Sequence, residues 1–409
     1  GNGKQDKTLP VQANNNAQKG NGAASNSNQS SAPGQIIAAT QNHIPVCPGP
    51  AAEGNARCHA RVIVDGSSQP AVTTLPQGYG PLQFRGAYGV SGSVSTPSTI
   101  AIVDAYDAPN VRQDLQTYAN MYSLPSLGNC AVSSGTPSSP CFQKVNQTGG
   151  QTFPKPDQGW ALEISLDVEA AHAMCGNCNI LLVEANSASF SDLLTAVDRA
   201  RNMGAKIISG SWGGGESSSE LSYDSHFNFG GIAFTFSSGD NGYGVIYPSA
   251  SSKVTSVGGT TLNLNTDNTY SGETAWSGAG SGCSSQEAKP SFQSFLTLCG
   301  SKRIIADVSA DADPNTGAAV YDSTGYKGVK GWFKVGGTSL AAPLIAATYA
   351  QGILSSGSYA NSLPYSNSSN LHDVTSGSNG SCGSTYLCKA GAGYDGPTGL
   401  GTPNGVGAF

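Results

Sequence analysis

Charge is scarce in this chain. Asp, Glu, Lys and Arg make up 11% of its 409 residues, where about a quarter is usual. What charge there is does not lean basic: a formal net charge of −6 leaves no cationic footprint, so nucleic acid is not an expected partner. Long apolar runs are missing too. None approaches the ~20 residues that span a bilayer, and no membrane partner is expected. The opening Gly1-Asn2-Gly3-Lys4 does not read as a signal peptide, so a leader is expected to have been removed or never present. No spacing of paired cysteines with histidines of the zinc type occurs, which excludes a metal–thiolate site.

Cysteine is plentiful, and its spacing is informative. The ten cysteines fall into close sequential pairs, Cys47/Cys58, Cys130/Cys141, Cys175/Cys178, Cys283/Cys299 and Cys382/Cys388. An even count at short spacings suits local disulfides and hence a secreted, extracellular protein. Cys175-Gly176-Asn177-Cys178 also has redox spacing, but it follows a helical stretch instead of preceding one. The helix N-terminus that would stabilise a thiolate is absent, which favours a structural loop.

Residues 1–43 are dominated by Asn, Gly, Ser, Gln and Ala and read as a flexible low-complexity tail. Residues 44–78 hold one cysteine pair and a short apolar run, Ala60-Arg61-Val62-Ile63-Val64, and read as an accessory or linker segment. From Tyr79 to Phe409 the texture is that of a catalytic domain. Strand-like runs (Thr99 to Val103, Asn179 to Val183, Lys206 to Ser209, Ile232 to Ser237) alternate with helical patterns (Val111 to Tyr122, Trp160 to Met174, Ser191 to Met203). Short β-branched strands alternating with helices predict an α/β fold with a mostly parallel, doubly wound sheet covered on both faces. Val254 to Leu264 reads as a later strand entering a Gly-Thr-Thr turn, and a helix is expected from Ser339 to about Leu354. In such sheets sites gather at the carboxyl ends of strands. Asp104 and Asp107, Ser211 to Gly215, and Ser237 to Gly242 all fall there.

A nucleophile is offered by Gly336-Gly337-Thr338-Ser339-Leu340-Ala341-Ala342-Pro343, which puts Ser339 at a helix start where free N–H groups can meet an oxyanion. The same run also reads as a plain N-cap. A serine hydroxyl needs a base. Of the five histidines (His43, His59, His172, His226 and His372) none lies in a His-Gly-Thr setting; His172, on an Ala-rich helix, comes closest. Carboxylates are the better candidates. Glu163 and Asp167 are four apart and share one face of a helix whose neighbours Leu162, Ile164, Leu166 and Val168 predict burial. Asp240, in Ser237-Ser238-Gly239-Asp240-Asn241-Gly242 after an apolar strand, is either a turn acid or, if protonated, a hydrogen-bond donor to an oxyanion.

Glu163-x-x-Leu166-Asp167, Ser238-Gly239-Asp240-x-Gly242 and Gly337-Thr338-Ser339-x-x-x-Pro343 together resemble the sedolisin family of serine-carboxyl peptidases. Supporting runs are Ser209-Gly210-Ser211-Trp212-Gly213, Val257-Gly258-Gly259-Thr260 and Ala306-Asp307-Val308-Ser309-Ala310, in order over about residues 79–409. The resemblance implies a subtilisin-like fold and a secreted, acid-active endopeptidase working through an acyl-enzyme. It makes Ser339 the nucleophile, Glu163 the general base, Asp167 the acid that orients it and shares its proton, and Asp240 the oxyanion donor. It also implies one structural Ca2+, held by the carboxylates of Asp373 and Asp395 and the carbonyls of Val374, Gly391 and Gly393. Protein or peptide substrates and a monomer are expected. Family members are made with a long folded pro-region, and nothing of that size precedes Tyr79, so it is expected to have been removed or maturation to differ. The alternatives are a conventional protease using Asp104, His172 and Ser339, and a catalytically silent, calcium-stabilised extracellular binding protein.

Overall fold

The computed structural model describes residues 35–36, 40–96, 98–130 and 140–409. Most of the tail expected over residues 1–43 lies outside them. In chain order the elements used below are β1 (His43–Pro45), β2 (Arg57–Cys58), β3 (Arg61–Ile63), β4 (Thr99–Ala105), α1 (Val111–Tyr122), β5 (Cys141–Asn146) and α2 (Gln158–Met174). They continue with β6 (Asn179–Ala185), α3 (Phe190–Asn202), β7 (Ile207–Gly210), β8 (Trp212–Gly213), β9 (Ala233–Ser237), β10 (Thr255–Asn265), β11 (Val308–Asp311), β12 (Ala318–Tyr326), β13 (Val329–Gly336) and α4 (Thr338–Tyr349).

The central sheet runs β10-β9-β7-β4-β6-β5, every neighbouring pair parallel. Its inner strands are buried along nearly their whole length, as strands covered on both faces must be. That burial explains why they read as continuous apolar runs without alternation. This is the doubly wound α/β architecture of a subtilisin-like fold. β10 continues through Gly258-Gly259-Thr260-Thr261 as strand, because parallel β11 pairs with Val257 to Gly259 on one side and antiparallel Tyr270–Ala275 takes over from Thr260. The turn expected there does not form. α1 has the expected bounds, and α4 ends at Tyr349, short of Leu354.

Two helices position the site. α2 is capped by Asp157, whose side chain accepts from Trp160 N–H at 2.9 Å, and is buried from Trp160 to Met174. α4 begins just after Gly337, which has φ 97°. A Cβ there would run into His59 O and Asp240 Oδ2, so only glycine permits this approach. All five sequential cysteine pairs are disulfides, and no free cysteine exists among the described residues. β1 and β3 join a second sheet in the order β12-β13-β3-β1, while β2 pairs with β8.

Candidate active site

The carboxyl ends of β4, β7 and β9 and the start of α4 converge on one cluster. Ser339 is fully buried. Its Oγ donates to Ser211 O at 3.3 Å, and the Ser211 hydroxyl donates to Asp167 Oδ1 at 3.0 Å and lies 3.2 Å from Ser339 O. Glu163, Asp167 and Asp104 are each 0% exposed, and no lysine, arginine or histidine forms an ion pair with any of them among the described residues. Burial, reinforced by the Asp167 charge, pushes the Glu163 and Asp104 carboxyls well above the usual carboxylate range. Burial raises Asp167 well above that range as well, opposed by the Ser211 hydroxyl and by the neighbouring Glu163 and Asp104 carboxyls. Among the described residues Asp167 Oδ1 takes the Ser211 bond, while its Oδ2 and both oxygens of Glu163 and of Asp104 have no partner. Three acids this close cannot all ionise, and they titrate as a unit. The Ser339 hydroxyl lowers the Glu163 pKa against the larger effect of burial. Its closed hydrogen bond, however, is to Ser211 O, and neither Glu163 oxygen has one.

Asp240 faces the head of α4 from the loop after β9. Its Oδ1 accepts from the Thr338 N–H and hydroxyl, both at 2.8 Å, while buried Oδ2 has no partner. Burial raises its carboxyl to about 6, against the pull of the Thr338 bonds and of Arg61 and Arg57. Oδ2 and the Ser339 N–H border the same small space beside Gly337.

The structure thus brings Ser339, Glu163, Asp167 and Asp240 together, and adds Ser211 and Asp104. Both additions stood at strand ends in the sequence, but nothing there tied them to the acid pair. His172 is not brought in. It lies nine residues beyond Glu163 on α2, about 13 Å along the helix axis, and burial lowers it to about 4. The other buried imidazole, His59, points its Nδ1 at Ser237 Oγ, 2.7 Å away, and burial lowers it to about 3. Its place in this cluster was not legible in the sequence: it follows a two-residue strand, Arg57–Cys58, that has no periodicity to read.

Near the C-terminus, Asp395 is 0% exposed. Its Oδ1 accepts from Thr398 N–H (3.0 Å) and Oγ1 (2.8 Å), and its Oδ2 from Gly391 N–H (3.2 Å). Asp373 Oδ2 accepts from Gly393 N–H at 2.8 Å. Burial, the largest effect, and the nearby Asp373 charge both raise Asp395, and neither acid has a basic partner among the described residues. No cluster of three or more His, Cys, Asp or Glu side chains is placed to hold a metal among the described residues. A hard cation taking two carboxylates plus backbone oxygens fits this pair, because it would supply the missing positive charge.

The sequence model of the subtilase family matches residues 160–361. The chain is 28% identical over 369 residues to sedolisin of Pseudomonas sp. (strain 101), covering 80% of this chain and 60% of that protein. It is 29% identical over 374 residues to kumamolisin of Bacillus sp. (strain MN-32), with 82% and 63% covered. The chain therefore spans less than two thirds of the length of these curated relatives. Among solved structures, Pseudomonas sedolisin, a serine-carboxyl proteinase complexed with two molecules of pseudo-iodotyrostatin, superposes with a TM-score of 0.66 at 29% identity, over 80% of this chain and 96% of that one. With its parallel sheet, its acid pair on α2 and Ser339 at the head of α4, the chain is a homologue of sedolisin and kumamolisin and has a subtilisin-like fold.

Proposed function

We propose that this protein is a secreted, acid-active serine-carboxyl endopeptidase that cleaves protein or peptide substrates through an acyl-enzyme on Ser339. The observation that carries the reading is the buried Glu163–Asp167 pair, without a basic partner among the described residues and joined through Ser211 to Ser339 at a helix N-terminus. Leaving such acids buried is costly unless they do something.

The arrangement supports a specific proton path. With Asp167 as the acceptor, the Glu163 proton faces Asp167 and leaves the other Glu163 oxygen free to accept from Ser339. As Oγ attacks the substrate carbonyl, its proton passes to Glu163, and the proton Glu163 held passes to Asp167. Ser211 and Asp104 hold Asp167 in place. Ser339 N–H and protonated Asp240 Oδ2 meet the oxyanion. When the carbon–nitrogen bond breaks, the proton returns through Glu163 to the leaving amine, and water repeats the sequence on the ester. Nothing in this scheme requires an imidazole.

Calcium held by Asp373, Asp395 and the carbonyls of Val374, Gly391 and Gly393 would be structural, pinning the C-terminal loops. Five disulfides favour an oxidising, extracellular setting. No helix among the described residues is long and apolar enough to cross a membrane. The protein is taken to act as a monomer, with neither nucleic acid nor membrane as partner. The test is digestion of a denatured protein from pH 3 to 9. Acidic cleavage that is lost in Ser339→Ala, while its circular dichroism stays unchanged, supports the reading; neutral-to-alkaline cleavage refutes it.

A further inference from the structure

The buried acids do not end at Asp104. β4 and β6 pair in parallel with Asp104 opposite Glu184, so the two carboxylates stand on one face of the sheet, one strand spacing of about 5 Å apart. On the next strand, Lys144 of β5 lies opposite Leu182, two residues before Glu184 and on the same face. Glu184 is fully buried. Its Oε1 accepts from Ala108 N–H at 2.9 Å and lies 3.4 Å from Lys144 Nζ, and its Oε2 has no partner among the described residues. Lys144 Nζ donates to Asp107 Oδ1 and, at 3.1 Å, to Ala108 O, and it sits 4.1 Å from the centre of the Phe153 ring. A row of acids thus runs from Ser339 through Glu163, Asp167, Asp104 and Glu184 to Asp107, and one ammonium closes it. Among the described residues Lys144 is the only basic side chain ion-paired to any member of the row.

We propose that Lys144 and Asp107 are positioning residues for the catalytic acids: paired, they close the row with no net charge, and the one negative charge the row carries in acid stays at Asp167. The proposal rests on the peptidase reading above. Burial raises Glu184 to about 8 against the pull of Lys144, so Glu184 keeps its proton in acid and the anion that answers Lys144 is Asp107. A nearly buried ion pair contributes little net stability, because desolvation offsets its attraction. What it changes is the field along the row, where little water screens it.

From the serine end the row is faced by Asp240, whose charge raises Glu163, with Arg61 and Arg57 bearing on Asp240 in turn. At the other end Lys155 meets Asp107 through its backbone, its carbonyl accepting from Asp107 N–H at 3.2 Å, while its ammonium lies over the Tyr106 ring. Loss of the Asp107 charge therefore leaves Lys144 unanswered. An unpaired positive charge ~10 Å from Asp167 favours its ionised form, by roughly 0.5–1 pH unit at an effective dielectric constant of about 20–40. The acidic limb of the rate profile, below which Asp167 is protonated, then moves to lower pH.

The experiment measures hydrolysis of an internally quenched peptide from pH 2 to 6 by the full chain, Asp107→Asn and Lys144→Met/Asp107→Asn, with the fold of each followed by circular dichroism. In Asp107→Asn the acidic limb is expected roughly 0.5–1 unit lower than in the wild type. In the double variant, which has neither charge, it returns to the wild-type position. Lys144→Met, which leaves Asp107 bare, should move the limb the other way, and it carries the test if Asp107→Asn does not fold. A merely structural pair would lower the melting temperature or the plateau rate, most of all in the double variant, and leave the limb where it is; that result would overturn the proposal while the peptidase reading stands. So would a limb that moves in Asp107→Asn and is not restored in the double variant. A wild type that cleaves the peptide at none of these pH values would sink the peptidase reading and this proposal with it.

Discussion

The state of Asp240 should set the upper limit of the working pH. Its Oδ2 donates to an oxyanion only while protonated, and burial holds the carboxyl at about 6. The protonated fraction is then ~90% at pH 5, ~10% at pH 7 and ~1% at pH 8, so kcat/KM should fall about tenfold per unit above pH 6. The groups facing Asp240 fix the direction of any shift. Thr338, Arg61 and Arg57 lower the pKa, so departure of the segment carrying Arg57 would move the limit upward. Asp240→Asn offers an amide donor that does not titrate, and its fall above pH 6 should disappear. Asp240→Ala has no donor, and about 10²–10³ in kcat should be lost at pH 4. The assay is hydrolysis of an internally quenched peptide from pH 3 to 9 at constant ionic strength, after preincubation at pH 4. An Asn variant that declines with pH as steeply as the wild type would refute the assignment, as would an Ala variant with wild-type kcat at pH 4.

Ser211→Ala removes the hydroxyl that donates to Asp167; kcat should fall about 10-fold or more, and the acidic limb of the profile should move to higher pH, because that bond lowers the Asp167 pKa. A variant that loses rate with an unmoved limb would leave Ser211 a packing role only. Thermal stability should decrease from pH 6.5 to 8. Burial raises Glu273 to about 7 and Glu184, Glu220 and Glu287 to about 8, so the folded state keeps protons that the unfolded state has already lost, and that contribution, complete below pH ~4, vanishes as pH passes the folded values. The buried histidines, lowered to about 3 and 4, act in the opposite sense only below about 6.5; a melting temperature that rises from pH 6.5 to 8 would contradict this. Chelation should lower the melting temperature, by the equivalent of about 2.7 kcal/mol if free metal stood 100-fold above its Kd, and Asp395→Asn should abolish the difference between metal-loaded and chelated protein.

The acid pair was legible because helix periodicity placed Glu163 and Asp167 on one face, and the sheet because its strands are buried on both sides. The end of α4 was not legible: Gly352 packs onto Phe409 O, a contact with the far end of the chain that no local pattern encodes. The strand nature of Gly258 to Thr261 likewise depends on partners elsewhere, β11 and Tyr270–Ala275. The pairing of Arg57–Cys58 with Trp212–Gly213 was hidden for the same reason, since β2 and β8 are two residues each and are defined only by pairing with one another. Asp104 was noted as a strand-end acid, and only the fold sets it beside Asp167.

The most direct test of a carboxylate base is the rate of Ser339 acylation, measured by burst kinetics with an activated ester at pH 5 in Glu163→Gln, His172→Ala and wild type side by side. The glutamine variant is predicted to lose its burst, by about 10²–10⁴ in rate, while the His172 variant keeps it. A burst that survives Glu163→Gln and vanishes with His172→Ala would contradict the account.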